Sequence, residues 1–447
     1  MKRSGWTIVM LAWMAILVFV YPIPHTIALR NLLLLAGLLL CAAQSLRSGD
    51  QSPTRHSFVP LRTPLILLGA LSAWLVINSA FLSRHAEEAL QLLRGDWLVA
   101  LLVAFIGGWA AKREGCESQA PLVNGLCAAL FAHSLWLLGY QLFFWISTGQ
   151  YPPMSELTPF AQRDYHSSLF TMLSALLAAE GIARALNGRR MLGISTRLLM
   201  IALAVNLAAT MLLQTRNAVL ITIALVLACV GVLIRERRIL ENRTRRWAGY
   251  SVVFAACLAI GGVFADLHRW NIFVDTASVA IDTRGHLSWQ NLEKFPLPVM
   301  SNGNPVEVSA YSRIAWAKVA LEQIIANPLG VGFGHKAFGW AVNDAYGIAS
   351  GLESSHSGVL DFTLANGIPG MVLWFALCAA LMRLGWRAFG KSGSPAGLML
   401  VLTVFGYFVR CVLDGHFSGW RLEMYALVVG ILVVAACRVD EHAPRTN

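Results

Sequence analysis

Charge is what this chain has least of. Asp, Glu, Lys and Arg make up only 13% of its 447 residues, roughly half the share a soluble domain carries, so a water-facing surface of ordinary composition is excluded. Carboxylates are the scarcer sign, 24 against 35 lysines and arginines. No CxxC pair and no Cys/His cluster is present, which removes the usual zinc and redox frameworks. Seven of the eight cysteines, Cys41, Cys127, Cys229, Cys257, Cys378, Cys411 and Cys437, fall within or at the ends of apolar runs and read as small hydrophobes, while Cys116 stands alone in a polar loop. Clustered carboxylates, the hard ligands of metal-assisted chemistry, are also missing. Glu87-Glu88 has Arg84, His85 and Arg94 around it and reads as local salt bridging. No metal and no soluble cofactor is therefore expected.

What is present is apolar. Hydrophobic residues reach 57% and come in runs of about 17 to 25, the length that crosses a hydrocarbon core as a helix. The expected fold class is all-α, a polytopic membrane protein of about twelve helices. They are placed near 6–23, 27–43, 64–82, 97–111, 122–146, 168–185, 196–214, 217–234, 248–265, 367–383, 396–412 and 421–437. Lys2 and Arg3 before the first run resemble a signal peptide, but Pro22-Ile23-Pro24-His25 offers no small-x-small cleavage site, so this run is read as a retained helix. Arginines such as Arg189, Arg190, Arg235, Arg237, Arg238, Arg243, Arg245 and Arg246 gather in alternate loops, and the positive-inside rule then puts both termini in the cytoplasm. The net charge of +11 is a consequence of that topology, and no nucleic-acid partner is needed to explain it. Three parts follow: residues 1–265 with nine helices, a large external loop at 266–356, and residues 357–447 with three more.

The large loop is where chemistry has room. Trp270 to Glu307 is rich in turn formers, including Asn302-Gly303-Asn304-Pro305, and irregular coil is expected. Ser312 to Ala326, with Ser312 as N-cap and apolar Ile314, Val319, Leu321 and Ile325, reads as an amphipathic helix lying on the bilayer surface. Asn327-Pro328 ends it. Gly330, Gly332 and Gly334 make a tight turn before a second short helix around Lys336 to Val342.

An ionisable residue at the edge of a span is a functional hypothesis, because holding it there is costly without a partner. Arg216, in the short turn Gln214-Thr215-Arg216-Asn217-Ala218, is pinned at the interface. Arg163 precedes the sixth span beside Asp164, and Arg313 opens the loop helix. Guanidinium forks suit phosphate, since they hydrogen-bond in parallel pairs and keep their charge. Interfacial arginines also anchor helices to lipid head groups or pair with acids, as Asp164 offers for Arg163. His356, in Glu353-Ser354-Ser355-His356-Ser357-Gly358, stands where the loop returns to the membrane, and an imidazole there is suited to general-base work. Asp361, five residues on, is placed to orient that ring or to cap backbone groups. His25, His85, His166, His335 and His416 are read as incidental.

Several features together resemble the O-antigen ligase and polymerase superfamily. They are Ser312-Arg313 followed by Trp316, the run Asn327-Pro328-Leu329-Gly330-Val331-Gly332-Phe333-Gly334, His356-Ser357 shortly before a span, the Asn366-Gly367-Ile368-Pro369-Gly370 turn, and the earlier Thr215-Arg216. The resemblance implies a GT-C-like membrane glycosyltransferase of the bacterial inner membrane. Its donor would be an undecaprenyl-diphosphate-linked glycan and its acceptor a sugar hydroxyl of lipid A core, joined at the periplasmic face in lipopolysaccharide biosynthesis. In that reading His356 takes the acceptor's proton, Arg216 and Arg313, with Arg163 as a third candidate, hold the donor diphosphate, and the reaction inverts the sugar without a metal.

Within that superfamily the acceptor separates a ligase from a polymerase or a protein O-oligosaccharyltransferase. Polymerases often carry a glycine eleven residues after an arginine, whereas here Ser174, Leu227 and Ile324 follow Arg163, Arg216 and Arg313 at that spacing, which favours the ligase. A twelve-helix transporter or flippase is the reading from another class. It would call for repeated halves and substrate groups near mid-membrane, and neither is visible in the sequence.

Overall fold

In a computed structural model of the chain, residues 5–47, 59–113, 121–153, 158, 163–236, 267–347, 350–415 and 417–440 are described. The architecture is all-α. Among the described residues nine helices are long and apolar enough to cross a membrane: Ile27–Leu46, Arg62–Leu82, Ala86–Lys112, Pro121–Thr148, Arg163–Asn187, Arg216–Arg235, Gly358–Ser392, Pro395–Leu413 and Gly419–Cys437. Gly5–Val20 and Thr196–Leu212 are shorter apolar helices. The run expected near 248–265 lies outside the described residues, as does Cys116. Cys41, Cys127, Cys229, Cys378 and Cys411 are buried free thiols.

In chain order the helices that position the site are α1 (Gly5–Val20), α2 (Ile27–Arg47), α3 (Arg62–Ile77), α4 (Ala86–Leu92), α5 (Val99–Arg113), α6 (Pro121–Thr148), α7 (Arg163–Asn187), α8 (Thr196–Leu212) and α9 (Arg216–Arg235). After them come α10 (Leu267–Ala280), α11 (Val308–Ala326), α12 (Ala337–Tyr346), α13 (Gly358–Ser392), α14 (Pro395–Leu413) and α15 (Gly419–Asp440). α3 runs on through a π-helical turn at Asn78–Leu82, and α4 joins α5 through another at Leu93–Leu98. The span expected at 97–111 thus begins some ten residues earlier. One apolar core joins the long helices, with α13, α14 and α15 packed together and α14 laid along α7 and α9.

The large loop differs from expectation in three places. Leu267–Ala280 is helical where coil was expected to begin at Trp270. α11 starts at Val308 with Glu307 in the N-cap position, so Ser312 lies one turn inside the helix, buried. Its apolar stripe is divided: Val319 is buried and Ile314 packs beside it, whereas Leu321 and Ile325 are exposed. The buried stripe packs in a second core with Trp289, Met300, Phe338, Val342 and Leu364. The second short helix is Ala337–Tyr346, longer than expected because Gly347 at φ +62° supplies the left-handed cap that ends it.

The Asn366-Gly367-Ile368-Pro369-Gly370 segment is a break inside α13 instead of a turn before it. Gly367 sits at φ +68°, ψ 177°, with Pro369 following. Such a break leaves backbone groups unpaired, and the run after α11 pairs them. The amides of Val331 and Gly332 donate to the carbonyls of Leu364 and Ala365 at 3.0 and 2.9 Å, and the Ile368 amide donates to the Pro328 carbonyl at 2.9 Å. Trp74 Nε1 donates to the Asn366 carbonyl at 2.7 Å, and Ser83 Oγ to that of Val331 at 2.6 Å. A Cβ at Gly330 would stand 2.5 Å from the Ala365 carbonyl oxygen, so only glycine allows this approach.

Candidate active site

Three chain segments meet where α9 begins, α11 begins and α14 ends. Asn217 is the junction. Its Oδ1 accepts from Arg313 Nη1 at 3.4 Å, and its Nδ2 donates to the Leu413 carbonyl at 3.2 Å. The same end of α14 holds the start of α13: Ser357 Oγ donates to the Val412 carbonyl at 2.9 Å, and the Gly358 amide to that of Asp414 at 3.0 Å. Arg313 and His356 are thereby brought together although 43 residues, by their numbering, separate them, and the Arg313 charge acts on the His356 ring.

His356 is held from two sides. Its backbone has φ +58°, a left-handed conformation that a residue other than glycine adopts only when its surroundings impose it. Asp361 helps impose it, since its Oδ1 accepts the Ser355 amide at 2.8 Å. Of the two tasks expected for Asp361, this bond is the backbone one. The imidazole itself stacks on Trp316, with ring centroids 5.2 Å apart and planes 18° from parallel. Trp316 is fixed in turn by Nε1 donating to the Trp289 carbonyl at 2.9 Å. His356 remains exposed, yet enough protein surrounds it that desolvation, first, and the Arg313 guanidinium, second, lower its pKa against the opposing pull of Asp414 and Asp164. The ring is therefore neutral at pH 7 and open to solvent, the state a proton acceptor needs.

Arg216, the first residue of α9, faces Glu307 fork to fork: Nη1 to Oε2 at 3.0 Å and Nη2 to Oε1 at 3.1 Å. Both are partly exposed, at 51% and 31% of their side-chain surface, so the pair contributes little stability and can exchange with another anion. Arg163 opens α7 one residue before Asp164, whose charge acts on His356 and Asp414.

Sequence reasoning missed Arg410 and Arg421. Arg410, buried in the last turn of α14, donates through Nη2 to Ser167 Oγ at 2.6 Å, to the Ser167 carbonyl at 2.7 Å and to Thr171 Oγ1 at 2.8 Å. Arg421 donates to the Gly415 carbonyl at 2.8 Å and lies 4.9 Å from the Tyr165 ring centroid. Between them Asp414 caps α14, and burial raises its pKa against the pull of both arginines. The available signal was position, since both cations stand at the ends of apolar runs. The Glu87-Glu88 pair likewise reaches further than expected. Glu88 holds Lys336 at 2.7 Å, and Arg84 and His85 approach Asp344 at 3.9 and 3.5 Å, tying α4 to α12.

Among the described residues no group of three or more His, Cys, Asp or Glu side chains is placed to hold a metal ion. What the arrangement offers is one neutral imidazole beside the Arg313 guanidinium, with Arg216 next to the Asn217 junction, a combination able to accept a proton and to stabilise an anion. Residues 199–375, which contain Arg216, Arg313, His356 and Asp361, match the family of O-antigen ligases. No curated protein matches the chain.

Proposed function

We propose that this chain is an O-antigen ligase that moves a glycan from undecaprenyl diphosphate to a sugar hydroxyl of lipid A core at the periplasmic face of the bacterial inner membrane. The observation that carries the reading is the convergence of Arg313, the Arg216-Asn217 turn and His356 on the end of α14, inside the segment that matches the ligase family.

In this reading His356 accepts the proton of the acceptor hydroxyl as that oxygen bonds to the anomeric carbon. The bond from that carbon to the diphosphate oxygen breaks, and its electron pair leaves with the diphosphate. Arg313 and Arg216 stabilise the charge that develops there, with Arg163 as a further cation on the α7 side. The histidine and the arginines act on opposite ends of one displacement, so the sugar inverts. The diphosphate is already a good leaving group, and the protein's share is positioning and electrostatics; no step calls for a metal. In this reading both termini lie in the cytoplasm and the chain has about twelve spans, among them the apolar run at 248–265.

The test is transfer by purified protein supplied with an undecaprenyl-diphosphate glycan and lipid A core in the presence of a chelator. Product formation that is lost in His356→Ala supports the reading. Elongation of the donor glycan on its carrier, with no transfer to lipid A core, would identify a polymerase instead.

A further inference from the structure

A recess adjoins the His356 turn and differs in charge from the arginine-bearing side of that turn. It lies between the glycine-rich run after α11 and the start of α13, and Phe333, His335, Glu353, Asp361, Asn366 and Phe417 line it. Ser354 and Gly358, two residues to either side of His356, form part of its wall. No lysine or arginine is among its lining residues. The exposed Glu353 carboxylate at its rim disfavours a diphosphate, just as Arg313 on the other side of the His356 turn favours one.

Asn366 supplies an independent sign of a ligand. It is fully buried, its Nδ2 donates to the Phe362 carbonyl at 3.1 Å, and its Oδ1 has no hydrogen-bond partner among the described residues. A buried acceptor left unmatched is costly and calls for a donor from outside the chain. Glu353 is exposed at the rim, and its carboxylate is an acceptor only. The walls thus combine hydrogen-bond acceptors with the apolar side chains of Phe333 and Phe417, which suits a neutral polyol with several hydroxyl donors and one apolar face.

We infer that this recess binds the acceptor as a neutral sugar ring, with Asn366 Oδ1 and Glu353 accepting from its hydroxyls. The inference rests on the transferase reading above and adds to it the side from which the nucleophile arrives. Acceptor and donor then approach His356 from opposite flanks, the sugar past Ser354 and Gly358 and the diphosphate past Arg313. Discrimination between the two substrates comes from the sign of charge on each flank.

The experiment uses the full chain in detergent with undecaprenyl-diphosphate glycan as donor and purified lipid A core as acceptor, and measures KM for each separately. Glu353→Gln, isosteric and exposed, is expected to raise the acceptor KM about tenfold, the loss of one hydrogen bond to a charged group, and to leave the donor KM unchanged. Ser418→Trp, which fills the recess from the α14–α15 connection, is expected to raise the acceptor KM further with the same donor KM. An unchanged acceptor KM in Glu353→Gln, or a donor KM that rises equally, overturns the assignment of the recess. Absence of transfer by the unsubstituted chain overturns the transferase reading itself, and the two failures are thereby distinguished.

Discussion

Arg216 and Glu307 form a two-pronged ion pair across 91 residues of sequence, with both nitrogen–oxygen distances near 3 Å. On the proposed reading the carboxylate occupies the fork that a donor phosphate would use, and the two would compete. Glu307→Gln is expected to lower the donor Kd severalfold, read by titration with undecaprenyl diphosphate. Its melting temperature should stay within about 2 °C of the parent, since exposed pairs contribute roughly 0.2–1 kcal/mol. A weaker donor complex in this variant would show that the pair holds Arg216 in place and is not its competitor.

Arg216→Lys keeps the charge and loses the fork. Donor affinity is expected to fall about tenfold or more, the loss of one charge-assisted hydrogen bond. Parental affinity would make Arg216 a helix anchor only.

His356→Ala is expected to lower the transfer rate by about 10²–10⁴, the usual contribution of a general base, with donor Kd unchanged. Single-turnover transfer together with equilibrium donor binding separates the two effects.

The pH dependence follows from the direction of the His356 shift. Desolvation and Arg313 hold its pKa below the ordinary 6.5, so the neutral form persists under mildly acid conditions and is lost as pH falls through the lowered value. The acid limb of kcat/KM for the acceptor should therefore lie below 6.5. Arg313→Gln removes the second of three lowering causes and leaves desolvation and the weaker effect of Arg421, so the limb is expected to move part of the way up toward 6.5 while the rate falls. A limb that keeps its position would show that the acid group being titrated is not His356.

Gly367→Ala places a side chain at φ +68° and against the Leu329 carbonyl. A destabilisation on the order of 1–3 kcal/mol is expected for a left-handed alanine alone, with more from the close approach, read as a lower melting temperature in detergent.

The sequence made the apolar runs legible because composition and length alone determine which segments leave water. It also singled out Arg216 and His356 as candidates by their positions at the edges of spans, and Arg313 by its place in the loop helix. Glu307 as partner of Arg216 was not legible, since nothing local marks a contact 91 residues away. The π-helical turns at Asn78–Leu82 and Leu93–Leu98 add a residue to a turn without altering the apolar pattern, so periodicity passed over them. Arg410 looked like one more cation closing a span, and only the Ser167 and Thr171 hydroxyls around it reveal how firmly it is enclosed. In the sequence, the Asn366-to-Gly370 segment resembles the edge of a helix because glycine and proline punctuate most chains that way. Here the missing backbone partners arrive from Pro328, Val331 and Gly332.

Those backbone hydrogen bonds stitch the loop to the broken rung of α13, and the stitch fixes a depth. A loop hinged only at its ends would rise and settle like a lid over whatever it covered. One whose peptide groups complete a spanning helix is held at a constant height, as a shelf is by its bracket. On the proposed reading, the distance from lipid head group to reacting oxygen would then be set by that ladder of hydrogen bonds.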